Sequence, residues 1–159
     1  VDRRQRQMCI RDRIPEDPYL KAEMRRIQWI VAADTQPYQN IPFIIQAMGE
    51  WGMKIAQPIK HPLRKHFINR EFSAIEEILK NVSGKYCVGD NVSYADCFLI
   101  PQIRNALASD IPLEKDFPNL NKVWENMLAL PKVLDIFEGA GGIIQPIVID
   151  EKRLKEYVE

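Results

Sequence analysis

Cysteine is scarce in this chain: Cys9, Cys87 and Cys97 are the only three in 159 residues, an odd number with no CxxC spacing. That excludes a disulfide framework and a cysteine-built zinc site, and it fits a reducing, cytoplasmic compartment. An excess of one charge is missing too. The 22 basic residues are balanced by 22 acidic ones, whereas a general nucleic-acid or acidic-membrane binder draws its affinity from surplus Lys and Arg. No apolar run approaches the roughly 18 residues that a membrane-spanning helix needs. Only Ile143 to Ile149 looks strand-like, and one short run broken by Pro146 cannot make a sheet. His61 and His66 are five apart, on different faces of a helix, with no further ligand to complete a metal set. No metal site is expected.

What is present is helical. The chain is 46% hydrophobic and 28% charged, the composition of one globular domain with a real core. Asp17 can cap a helix and Pro18 suits its first turn. Leu20, Met24, Ile27 and Val31 then recur at spacings of three and four, one apolar stripe. Thr35-Gln36-Pro37 interrupts this run, because proline lacks an amide hydrogen and disfavours helix in its predecessor. The pattern resumes at Phe43, Ile44, Ala47, Met48 and Trp51, so 18–51 reads as one kinked helix or two in series. A further helix carries Phe67, Ile68, Phe72, Ile75, Ile78 and Leu79, with Gly84 available to end it in the left-handed conformation. Val88-Gly89-Asp90-Asn91 predicts a turn, and helices follow from Ser93, Pro118 and Pro131. The expected fold is an all-α helical bundle of five or six helices.

The two ends stand apart from this pattern. Residues 1–15 form a basic leader with five Arg and no apolar stretch, unlike a secretory signal and unrelated in pattern to the rest. We expect the leader to be disordered or foreign to the domain; an arm for nucleic acid is its other reading. Residues 16–138 are expected to be the folded domain, and 139–159 a glycine-containing extension. Gly139-Ala140-Gly141-Gly142 is no phosphate loop, since no strand precedes it and no GK[ST] follows.

Three local signals remain. Ser93-Tyr94-Ala95-Asp96 is a capping box in its Asp form: each side chain can accept from the other residue's backbone amide. A catalytic Ser–Asp pair would need a histidine base, and none is near in sequence, so the pair is assigned to folding. Val92 and Cys97 occupy the staple positions around it, and Cys87 and Cys97 read as small core residues. Gln36-Pro37-Tyr38-Gln39-Asn40 crowds three amides and a phenol onto a helix break. It is either a solvated kink or an edge that faces a ligand.

These residues carry a resemblance. Gln36 to Asn40, then Tyr86 to Asp96 with its G-D-x-V-S-x-A-D box, then Ile100-Pro101-Gln102, resemble the C-terminal helical domain of zeta-class glutathione transferases, the class that includes maleylacetoacetate isomerase. The box is shared across glutathione transferases, while the QPxQN segment and the later PQ point to zeta. The resemblance implies an all-α domain normally joined to an N-terminal thioredoxin-like half that holds most of the glutathione site and a Ser-Ser-Cys motif. No serine of this chain adjoins a cysteine, so no catalytic residue is assigned and the chain by itself is expected to be inactive.

By the same resemblance, Gln36, Asn40, Ile41 and Pro42 would bind glutathione as cosubstrate, whose thiolate adds to a cis double bond and leaves after rotation. A small-molecule substrate and a homodimer in the full-length protein are implied, with no nucleic acid and no membrane. The class commonly has an Arg shortly after PQ-x-x-N-A to grip a substrate carboxylate. Here Asn105-Ala106 is followed by Leu107, Ala108 and Ser109. Arg104, four residues before Ala108 on the same helix face, can reach that volume from one turn earlier; a solvated surface Arg is the alternative. A non-enzymatic interaction module of the same helical fold is the competing function, and an apolar patch at Asn40 in place of a polar lining would favour it.

Overall fold

A computed structural model describes residues 13–40, 43 and 62–139. The leader up to Asp12, the tail from Ala140 and most of 41–61 lie outside the described residues, and with them the expectations for Ile41, Pro42, His61 and the Ile143–Ile149 run. The elements are helices: α1 (Pro18–Trp29), a π-helical segment (Ile30–Thr35), α2 (Gln36–Gln39), α3 (Pro62–Val82), α4 (Tyr94–Ala108), α5 (Leu113–Asp116), α6 (Pro118–Leu128) and α7 (Pro131–Gly139). Among the described residues the one β-type pairing is an isolated bridge between Ser83 and Gly89.

Each start is local chemistry. Asp17 accepts from the Leu20 amide at 2.8 Å, capping α1 with Pro18 in its first turn. The expected break at Thr35-Gln36-Pro37 takes another form: the helix widens through a π turn and continues to Gln39. The Gln36 amide bonds the Val31 carbonyl five residues back, and the Thr35 hydroxyl donates to the Ile30 carbonyl at 3.1 Å. One extra residue in the turn makes room for the Pro37 ring, which would otherwise collide with the carbonyl four residues earlier.

Two further expectations are corrected. Gly84 is not the left-handed residue; Gly89 is, at φ 69°. A Cβ on Gly84 would stand 2.8 Å from the Gly89 carbonyl carbon and against the Asp90 carboxylate, so Gly84 is required by close approach of the next turn. Cys97 is exposed, whereas Cys87 is fully buried. The inward face of α4 runs through Ala95, Leu99, Ile103 and Ala106, and Cys97 lies between those positions on the outer side. At its other end α4 stops in a Schellman arrangement. Asp110 sits at φ 58°, its amide bonds Leu107 at 3.0 Å, and the Ile111 amide bonds Ala106 at 3.1 Å.

The core lies where α1 packs on α4 and α3, and α3 on α6. Ile27, Ile68, Phe72, Ile75, Leu79, Leu99, Ile103, Leu120 and Val123 are sealed within it, each contributing about 1.5–3 kcal/mol by burial. Glu76 of α3 is buried with them because it caps a neighbour. It accepts from the Asn119 amide at 2.9 Å and the Leu120 amide at 3.0 Å at the start of α6. Arg13 to Pro15 also lie against the bundle: the Arg13 carbonyl accepts from the Tyr94 amide at 3.2 Å.

The pairing of α1–α2 with α3 sets the position of the site. Tyr38 stacks on Phe67 with ring centroids 4.3 Å apart, while Tyr19, Glu23 and Arg26 share a groove with Glu77, Ile78 and Asn81. The two helical rods are therefore antiparallel.

Candidate functional site

The Ser93–Asp96 pair is a structural centre. Asp96 is fully buried, and its Oδ2 accepts from the Ser93 amide at 2.7 Å and the Ser93 hydroxyl at 2.8 Å. Its Oδ1 accepts from the Cys87 amide at 2.8 Å, a link across nine residues that the capping box does not foretell. With both oxygens committed, the pair holds the 87–96 turn onto α4. Burial pushes the Cys87 thiol well above its ordinary value, with the neighbouring Asp96 charge adding to the rise, and burial also raises Cys97. Neither supplies a thiolate near neutral pH.

The amide segment behaves differently. Gln36 and Asn40 are exposed, and Gln39 between them is buried at 3%. Gln36 Nε2 donates to Asn40 Oδ1 at 3.3 Å, and Gln39 Nε2 donates to Gln36 Oε1 at 2.7 Å. Inward, Gln39 and Gln102 form a reciprocal amide pair: Gln39 Nε2 donates to Gln102 Oε1, and Gln102 Nε2 donates to Gln39 Oε1 at 2.9 Å. The QPYQN segment and the PQ of α4 are thus two halves of one network, joined over 63 residues of sequence. Counting hydrogen bonds among the described residues, Gln39 Nε2 has both hydrogens in use, Gln36 Nε2 keeps one and Asn40 Nδ2 keeps two. The outer edge is a cluster of N–H donors, which suits carboxylate or peptide-carbonyl oxygens.

Arg104 and Ala108 are half-buried and share a face of α4. Arg104 Nε is shut off from solvent with no hydrogen-bond partner among the described residues. At 100° per residue, Gln102 and Arg104 diverge by about 200° around the helix. So α4 turns Gln102 to the amide cluster and Arg104 to another side, and the structure brings Gln36 and Asn40 together without joining them to Arg104.

Three residues escaped the reading of site residues. In sequence Gln39 is one amide of the crowded break and Gln102 part of a family pattern, and nothing in their spacing announces contact. Arg64 gave no signal. It is 3% exposed in the first turn of α3, its Nε lacks a partner among the described residues, and desolvation lowers its pKa to about 10, still protonated at neutral pH. Among the described residues no His, Cys, Asp and Glu cluster could hold a metal, and no helix is long and apolar enough to cross a membrane.

Known proteins share this framework. Residues 64–131 match the family described as the glutathione S-transferase C-terminal domain. Maleylacetoacetate isomerase of Mus musculus is 37% identical over 117 residues, covering 74% of this chain and 50% of its own length. A probable maleylacetoacetate isomerase of Drosophila melanogaster is 38% identical over 118 residues, covering 74% of this chain and 48% of its own. The chain therefore spans about half the length of the curated relatives it matches. Among solved structures, a glutathione S-transferase from Legionella pneumophila superposes with TM-score 0.68 at 29% identity, over 77% of this chain and 64% of that one. A maleylacetoacetate isomerase from Anaeromyxobacter dehalogenans with glutathione bound in its active site gives 0.65 at 26%, over 86% and 59%. The match of residues 64–131, the identity to isomerases over three quarters of the chain and the helical superposition agree: the chain carries the all-α fold of the glutathione S-transferase C-terminal domain.

Proposed function

We propose that this chain is the substrate-binding helical domain of a zeta-class transferase that uses glutathione to isomerise a cis double bond, as in maleylacetoacetate to fumarylacetoacetate, or to conjugate a small electrophile. In this reading residues 16–138 are the domain, with Arg13 to Pro15 of the leader 1–15 laid against it and the extension 139–159 beginning at the last residue of α7. The whole protein is a cytoplasmic homodimer with a thioredoxin-like partner half. The observation that carries the reading is the donor edge at Gln36 and Asn40. Two exposed amides on a π-widened helix break offer three N–H groups, unused among the described residues, to a ligand rich in carboxylate and carbonyl oxygens, which glutathione is. Glutathione supplies the nucleophilic sulfur; the chain's own task at this edge is to bind and orient, with Asn40-Ile41-Pro42 continuing it. The polar character of the edge favours this over an interaction module, which would present an apolar surface there.

The purified 159-residue chain is expected to show no glutathione-dependent turnover, while millimolar glutathione shifts the side-chain amide signals of Gln36 and Asn40 in a 1H–15N spectrum. Turnover by the chain alone, or unmoved amide signals, would reverse the corresponding half. For the substrate, Arg104, whose Nε has no partner among the described residues, is assigned to a carboxylate. In the full-length enzyme Arg104→Ala should lower kcat/KM for a dicarboxylate at least tenfold, and an unchanged value ends that assignment.

A further inference from the structure

We propose that Gln102, buried in α4, is a positioning residue for the glutathione edge, acting through Gln39 to fix which end of the Gln36 amide faces outward. The inference rests on the reading above and adds to it the polarity of the contact. Gln102 is 1% exposed and Gln39 3%, so both amides are removed from water and every N–H and C=O that they carry needs a partner. They meet this need first with each other. Gln102 Oε1 and Gln36 Oε1 take the two hydrogens of Gln39 Nε2, and the inward-facing oxygen of Gln36 is the consequence. Its nitrogen is then directed to Asn40 and to the surface.

The energetic argument is an asymmetry of burial. A free glutamine on a helix surface rotates its amide at little cost, presenting oxygen or nitrogen as often to a ligand. Here a flip of Gln36 alone would bring its Nε2 against Gln39 Nε2, two donors face to face, with a buried hydrogen left unpaired. Such a group costs roughly 1–3 kcal/mol. The buried pair thereby ties the surface amide to its own orientation, so that Gln36 cannot turn alone, and in the orientation observed an acceptor oxygen of glutathione meets N–H groups that need no reordering. The π-helical segment contributes as well: the extra residue in the turn at 30–35 sets the register that aims Gln39 at α4 while Gln36 and Asn40 remain outside.

The test is glutathione affinity of the 159-residue chain by NMR titration, with thermal unfolding on the same samples, for Gln102→Met, Gln102→Glu, Gln36→Ala and the Gln36→Ala/Gln102→Met double variant. Gln102→Met removes the acceptor for Gln39 and should weaken glutathione three- to tenfold. Gln102→Glu keeps an acceptor for Gln39 Nε2 but buries a carboxylate, so it should be the less stable of the two and yet bind within about twofold of the parent. In the Gln36→Ala background, Gln102→Met should add no further loss, because the relay ends at Gln36. Unchanged affinity in Gln102→Met, affinity that follows stability across the two variants, or additive losses in the double variant would each overturn the positioning role and leave the glutathione reading intact. No binding by the parent chain would overturn both.

Discussion

The bundle holds two buried polar clusters on the same helix, and they end differently. Around Asp96 the hydrogen bonds run inward: two backbone amides and one hydroxyl converge on a carboxylate with no exposure. Around Gln39 and Gln102 they run outward, from a sealed amide pair through Gln39 to two exposed side chains. A closed cluster satisfies every member and can only hold structure. One that terminates at the surface with unused donors retains the capacity to bind. Position on α4 decides which is which, since Asp96 stands at the helix start against the 87–93 turn and Gln102 stands mid-helix against the widened break in the opposite rod.

The comparison is broken most severely at Asp96. In Asp96→Ala the Cys87 amide, the Ser93 amide and the Ser93 hydroxyl lose their acceptor together, and α4 loses half of its capping box. At about 1–3 kcal/mol per buried unsatisfied group, partly relieved by water, a loss of about 3–5 kcal/mol is expected. Chemical denaturation reads it directly. A cost below about 1 kcal/mol would mean that the turn finds other acceptors and that the cluster does not hold the fold.

Arg64 sharpens the contrast from the side of charge. Asp96 is a buried carboxylate on which three donors converge; Arg64 is buried with an Nε that has no partner among the described residues, and desolvation accounts for its lowered pKa. For a base the sign is plain. A folded-state pKa depressed from 12.5 to about 10 means that the native state disfavours the proton, a penalty present at every pH below about 10 and relieved only above it. Replacing the guanidinium with a side chain of similar reach removes the penalty. Arg64→Met should therefore raise stability at pH 7 by about 1 kcal/mol, or roughly 2–4 °C in Tm for a chain of this size. A fall in Tm would place a compensating anion against the guanidinium.

The legibility of these regions in the sequence follows from how far each interaction reaches. Caps are local, so Asp17, Ser93–Asp96 and Pro118 announced helix starts that the structure contains, and the three- and four-residue spacing gave the buried faces of α1, α3 and α6. Cys97 was misplaced because a residue flanked by apolar neighbours in sequence need not share their helix face. Pro37 was read as a break because the sequence carries the clash but not the π turn that relieves it. The amide pair of Gln39 and Gln102 was out of reach for a different reason. Nothing short of the packing of α2 on α4 decides that two glutamines 63 residues apart are partners. Resemblance flagged both segments without saying that they touch, and Arg64 had neither a local pattern nor a family pattern to mark it.

The smallest effect on the fold is expected where the outward cluster ends. Gln36 is exposed in the last helical turn before Asn40, and alanine is the better helix former. Truncation removes one hydrogen bond to Gln39 Nε2, but water can reach the vacated position because it lies at the surface, so the orphaned hydrogen is re-satisfied. Gln36→Ala should leave stability within about 0.5 kcal/mol while withdrawing one of the donors from the edge. Set beside Asp96→Ala, it makes the two clusters separable by one pair of thermal melts. A loss in Gln36→Ala of more than about 2 kcal/mol would mean that the amide chain holds the bundle as firmly as the carboxylate does, and that its opening to the surface is incidental.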